Sequence, residues 1–190
     1  MINKNYTLGI LATSVFVHIS LYIALAFFIS FFFASYSLLS ISAVLLPLIS
    51  VLVVLFILWK RSTFTNELKG KILLLITAVL CFLPSLFLVN LLGKNEEKLN
   101  FTIEKWVNEP DDRAYFVYDF LDEYEMVGKS KEDIQKLLGE PDENHSYSPT
   151  ENVISYFLGP EVGWISIDGT YLVIWFDDGK QAIDYAVETY

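Results

Sequence analysis

Three long apolar stretches fill the first half of the chain. Residues 8–34, 36–59 and 72–93 contain no Asp, Glu, Lys or Arg. A helix needs about 20 apolar residues to cross a bilayer. The pattern therefore predicts three transmembrane helices, at about 8–34, 36–59 and 71–93, within a domain covering 1–95. Ser35-Tyr36-Ser37 separates the first two as a tight helical hairpin. Residues 60–71 (KRSTFTNELKGK) read as a basic polar loop. The first apolar run exceeds the roughly 7–15 residues of a signal-peptide core, so it is expected to remain as a span.

Beyond residue 95 the pattern changes. Residues 96–109 read as a linker, with Phe101 and Trp106 as aromatics suited to a membrane interface. An acidic domain is expected over 110–190. Pro110-Asp111-Asp112 marks a helix start, and apolar spacing through Val117, Phe120, Leu121 and Tyr124 carries the helix to about 126. Ser130, with Asp133 three residues on, predicts the cap of a second helix, and Gly139 followed by Pro141 predicts its stop.

The remaining residues read as strands: Val153–Leu158, Trp164–Ile167, Thr170–Phe176 and Lys180–Val187. Asp178-Gly179 between the last two is a hairpin signal. Leu172, Ile174 and Phe176 alternate with Tyr171, Val173 and Trp175, so both faces of this strand are apolar. It is expected to be a central strand, with helices on one face and a partner, the membrane or aromatic packing on the other. The fold class is thus an α-helical membrane anchor of three transmembrane helices plus an α+β domain: two helices, then an antiparallel sheet of three to four strands.

Charge divides the chain in the same place. Residues 1–100 carry a net +4 and residues 101–190 a net −14. The acidic half repels phosphate backbones, which argues against nucleic acid as a partner. Lys60, Arg61, Lys69 and Lys71 flank the second and third spans, whereas the first turn carries no Lys or Arg. The positive-inside rule then places the N-terminus and the 60–71 loop in the cytoplasm. Three spans put the acidic domain outside it, in a multi-pass protein of the inner or plasma membrane.

Candidate chemistry is sparse. Cys81 lies alone in an apolar run and reads as a small buried hydrophobe. His18 has no acid or base in the spans to pair with, and is expected to be neutral and bonded to a hydroxyl such as that of Ser14 or Ser20. Pro47 and Pro84 are expected to kink their helices. Asp111-Asp112 and Asp177-Asp178 read as helix-start and turn residues, and Asp142-Glu143-Asn144-His145 as a solvated loop. No nucleophile–base pair, phosphate loop or metal motif occurs, so no enzyme activity and no cofactor are expected.

Arg113, Asp119 and Leu121, then Gly128-Lys129-Ser130-Lys131-Glu132-Asp133-Ile134 and Leu137-Leu138-Gly139-Glu140-Pro141-Asp142, resemble the opening of BamE/SmpA-like domains. Tyr156-Phe157-Leu158-Gly159 and Leu172 to Lys180 resemble that family's strands. The resemblance covers residues 110–187 and implies a two-helix, three-stranded α+β unit, an architecture shared with the repeat of β-lactamase inhibitory proteins. It also implies a small extracytoplasmic interaction module, bacterial and non-catalytic, that supports a cell-envelope complex. The family's lipidated N-terminal Cys is absent here, and three spans take its place. Tyr115, Trp164, Tyr171 and Trp175 are the expected protein-interface residues. A second reading is an inhibitor or immunity-type protein whose acidic charge attracts a basic extracytoplasmic enzyme or toxin.

Overall fold

The computed structural model describes residues 2–141, 152–163 and 167–190. Backbone contacts divide the chain into two units, Met1–Glu97 and Lys98–Tyr190.

The first unit contains three helices long and apolar enough to cross a membrane: α1 (Lys4–Phe31), α2 (Leu38–Arg61) and α3 (Leu68–Leu99). Most of their apolar side chains face outward, as expected when the solvent is lipid. Ser37 accepts from the Ser40 amide, and Ser40 Oγ accepts from Ser37 N, a reciprocal cap that starts α2 where the polar triplet breaks the apolar pattern. The turn before it is tied to the end of α3. Asn95 Nδ2 donates to the carbonyls of Ile29 and Ala34, at 3.2 and 2.9 Å, and Glu96 Oε2 accepts from the Tyr36 amide at 3.1 Å.

Two expectations need correction here. The third helix does not end near residue 93. It continues through Leu99, because Asn95 and Glu96 have partners that reward the extra turns. Nor is 60–71 a simple polar loop. A 3₁₀ turn at Phe64–Asn66 buries Phe64 and Thr65, and α3 begins at Leu68. The Thr65 hydroxyl donates to Ser62 O, and Ser62 Oγ lies 2.6 Å from Thr7 Oγ, so local hydroxyls satisfy backbone that the sequence pattern left open.

The second unit has helices α4 (Ile103–Asn108), α5 (Arg113–Glu123) and α6 (Lys131–Leu138), and strands β1 (Val153–Pro160), β2 (Gly169–Phe176) and β3 (Ala182–Thr189). The strands form an antiparallel sheet in the order β1-β2-β3. Register sets Ile154 opposite Ile174, which faces Tyr185, and Tyr156 opposite Leu172, which faces Val187. This face packs with Phe101, Trp106, Phe116, Phe120, Ile134 and Leu138 in one core. The α+β class is as expected, with three strands among the described residues. Of the expected run Trp164–Ile167, residues 164–166 lie outside the description, and Ile167 is exposed and outside any strand.

The 96–109 stretch is not a linker. Thr102 caps α4 by accepting from Lys105 N, and Phe101 and Trp106 belong to the core rather than to a membrane interface. The helix expected over 110–126 is shorter: a 3₁₀ turn at Pro110–Asp112, then α5 to Glu123. The hairpin between β2 and β3 is present, but its left-handed residue is Lys180 (φ 59), not Gly179. Asp177 O accepts from Lys180 N, and Asp177 N donates to Gln181 O. A left-handed residue following the turn is a bulged closure rather than a two-residue Asp-Gly turn.

The sheet's outer strands are partly covered. The Pro110–Asp112 turn lies so close to β1 that a Cβ on Gly159 would sit 1.9 Å from Asp111 O. The chain before α6 pairs with the start of β3 through Ala182 N to Lys129 O and Gly128 N to Ala182 O. Further along β3, the Tyr185 amide donates to Asp184 Oδ1 at 2.9 Å.

Candidate functional site

The expected helix punctuation residues sit where their chemistry requires. Ser130 Oγ accepts from the Asp133 amide at 3.2 Å and donates to Asp133 Oδ2 at 2.8 Å. That hydrogen bond, followed by the nearby Lys136 ammonium, holds the Asp133 carboxyl below the usual carboxylate range. Gly139 adopts φ 84 at the end of α6, a conformation that disfavours any residue with a Cβ. Pro141 follows in irregular structure.

Sequence reasoning missed how the end of α6 is completed. Trp106 Nε1 donates to Leu138 O and the Tyr156 hydroxyl donates to Gly139 O, each at 2.9 Å. Arg113 is buried beside them. Its Nε donates to Trp106 O at 2.8 Å, one guanidinium nitrogen reaches Phe157 O at 3.0 Å, and its carbon lies 4.7 Å above the Trp106 ring. Asp119 Oδ2 accepts the Phe101 amide at 2.6 Å. Arg113 and Asp119 therefore fasten α4 to the rest of the unit. The visible signal was a Trp and an Arg seven residues apart next to a helix start.

The four expected interface aromatics separate. Tyr115 lies on α5, half-buried, with Lys98 Nζ 3.7 Å from its ring centroid, and the same ammonium pairs with Asp112 at 3.1 Å. Trp164 lies outside the described residues. Tyr171 and Trp175 share the outer face of β2 and are half-buried. The Phe157 ring stands 5.4 Å from that of Tyr171. Val173, between Tyr171 and Trp175, is fully buried, and Ser155 opposite it is buried. Across the sheet, β3 sets Asp184 opposite Trp175 and Glu188 opposite Tyr171. Two aromatics of the expected four thus share one face of β2, Tyr171 against Phe157 and Trp175 further along, each opposite a carboxylate of β3.

Elsewhere the acidic residues serve the fold. Asp177 Oδ1 accepts from Gln181 N in the hairpin, and Asp112 pairs with Lys98. The Asp142–His145 stretch lies outside the described residues. Among the described residues no three His, Cys, Asp or Glu side chains gather in a way that would hold a metal ion.

In the first unit, His18 is buried, but its partner is not a hydroxyl. Its Nε2 lies 3.1 Å from the carbonyl oxygen of Cys81 on α3. A carbonyl only accepts, so Nε2 is the donor, and Nδ1 is buried without a hydrogen-bond partner among the described residues. One turn along α1, the Tyr22 hydroxyl donates to Val44 O at 2.6 Å. Ser14 donates instead to Ile10 O, within its own helix. Cys81 itself is buried, as expected of a small hydrophobe.

No family model, characterised protein or solved structure matches this chain.

Proposed function

We propose that the Lys98–Tyr190 unit is a non-catalytic protein-interaction module, held at a membrane by the three helices and serving a cell-envelope complex. The observation that carries this reading is the outer face of the sheet. Phe157, Tyr171 and Trp175 are neither buried in the core nor fully exposed, and Asp184 and Glu188 stand across from the last two. Tyr and Trp are among the residues that most often anchor protein interfaces. The resemblance to BamE/SmpA-like domains supports the same class of role. The Lys and Arg distribution supports a cytoplasmic N-terminus and an extracytoplasmic module in this proposal.

The acidic charge favours a second reading, an inhibitor or immunity-type protein with a basic target. Association with such a target slows steeply with added salt, whereas an envelope scaffold held by apolar anchors is less sensitive.

The test is site-specific photo-cross-linking of the full-length protein in cells. Photoreactive residues at 171 and 175 are expected to capture a protein partner, while one at Glu132 on α6 is not. Equal yields at all three positions, or none at 171 and 175, would overturn the assignment of this face.

A further inference from the structure

We infer that the C-terminal end of α2 binds a two-chain phospholipid with an anionic headgroup, its phosphate held by Lys60 and Arg61 and its chains on either side of Phe56. Two grooves meet there. One, of about 400 Å³, runs between α2 and α3 along Leu52, Leu55, Leu74 and Ala78. The other, of about 630 Å³, lies between α2 and Ile2 and is bounded by Ile57 and Arg61. Phe56 and Lys60 line both. Lys60 Nζ is 5.8 Å from the centroid of the Phe56 ring, which sets the ammonium at the ridge parting the two grooves.

Charge selects the headgroup. Neither groove is lined by Asp or Glu, and Glu67 is the only carboxylate in residues 1–95. Among the described residues no ion pair engages Lys60 or Arg61, and both are exposed. The helix carbonyls beside them already have donors. Thr65 Oγ1 donates to Trp59 O at 3.1 Å, and Ile2 N to Arg61 O at 2.9 Å. Two adjacent cations without a counter-ion therefore stand over apolar walls. A choline headgroup would bring its own cation to the same place with no carboxylate to receive it. An anionic headgroup brings none.

Depth and shape select a lipid over a soluble phosphate. Lys60 and Arg61 close a 24-residue apolar helix. Trp59, 38% exposed, lines the α2–α3 groove beside Lys60. Trp and Lys at a helix end lie at the level of lipid headgroups. A free phosphate would leave the walls at Leu52, Leu74 and Ala78 uncovered. The neighbouring cations are placed elsewhere: Lys4 Nζ lies 5.5 Å from the Phe64 ring, and Lys69 lines neither groove.

The experiment uses full-length protein in phosphatidylcholine nanodiscs with a trace of phosphatidylglycerol or phosphatidylcholine carrying a diazirine in one chain. Each cation beside an anionic headgroup contributes about fivefold in affinity, so the phosphatidylglycerol probe is expected to label residues 52–60 and 74–78 about 25-fold more than the phosphatidylcholine probe. Lys60→Gln or Arg61→Gln is expected to cut that preference about fivefold, and Lys69→Gln to leave it unchanged. Thermal unfolding of each variant confirms that it is folded. Unlabelled phosphatidylglycerol is expected to compete better than its one-chain lyso form, and soluble glycerol phosphate not at all. Equal labelling by both probes would mean ordinary bilayer contact and would overturn the site. So would a Lys69→Gln effect as large as that of Lys60→Gln, which would mean diffuse attraction to a basic surface. Equal competition by the lyso form, or displacement by glycerol phosphate, would likewise overturn it.

Discussion

His18 donates through Nε2 to the carbonyl of Cys81, which lies three residues ahead of Pro84 in α3. The same arrangement recurs one turn along α1, where Tyr22 donates to Val44 O, three residues ahead of Pro47 in α2. Proline has no N–H and its ring crowds the preceding turn, which opens nearby carbonyls to outside donors. Each proline helix is thus met by one polar side chain of α1.

Tyr22→Phe removes one of these bonds without changing the ring. Hydrogen bonds between membrane helices average about 0.6 kcal/mol. Reversible unfolding in detergent is expected to show a loss of that size. A loss above about 2 kcal/mol would mean that the hydroxyl organises more than a single contact.

Two glycines with positive φ separate strain from collision. At Gly139 (φ 84, ψ −175) a Cβ meets nothing within 4 Å, so Gly139→Ala is expected to cost about 1–3 kcal/mol from backbone strain alone. At Gly159 (φ 104) the new Cβ would lie 1.9 Å from Asp111 O, and the loss is expected to exceed about 3 kcal/mol. Chemical denaturation of the full-length variants checks the order, and equal losses would contradict the close approach of the Pro110–Asp112 turn.

Trp106→Phe keeps an aromatic ring but deletes the donor to Leu138 O. The carbonyl at the end of α6 loses its partner, and about 1–3 kcal/mol of stability should go with it. Trp106→Ala should cost about 3–5 kcal/mol. A residue in an irregular connector would show neither effect, so tryptophan-dependent unfolding curves test whether α4 is part of the core.

Ser130→Ala removes the cap of α6 and is expected to cost about 1 kcal/mol. It also deletes the largest cause of the lowered Asp133 carboxyl. A carboxyl lowered by folding stabilises above its unfolded value near 3.9 and loses that contribution as pH falls through the folded value. NMR titration should show Asp133 moving upward in Ser130→Ala. An unchanged titration would assign the shift to Lys136 instead.

The elements that were legible in the sequence are those set by short-range chemistry. The uninterrupted apolar runs, the Ser37 break, the Ser130 cap and the Gly139 stop each depend on a few adjacent residues. Alternation in 171–176 likewise separated the core face from the outer face. What escaped depends on partners distant in the chain. Phe101 and Trp106 resemble interface aromatics until α5, α6 and β1 surround them. Phe64 and Thr65 look polar in context until Ser62 and Thr7 satisfy their neighbourhood. The His18 partner is a backbone carbonyl 63 residues away, invisible to any pattern of side chains. Lys180, not the glycine beside it, takes the left-handed turn position because the closing bonds run from Asp177 to Lys180 and Gln181.

The Tyr185 amide, held by the side chain of Asp184, bears on how many copies can share one membrane. Anchored chains are confined to a surface, where their effective concentration is high. An exposed strand edge under those conditions is a template for polymerisation. Asp184 occupies one outward N–H of β3, Gly128 and Lys129 pair with the strand's first residue, and the Pro110–Asp112 turn crowds β1. The same carboxylate repels an identical edge. Crowded copies of this protein are thereby steered away from edge-to-edge assembly.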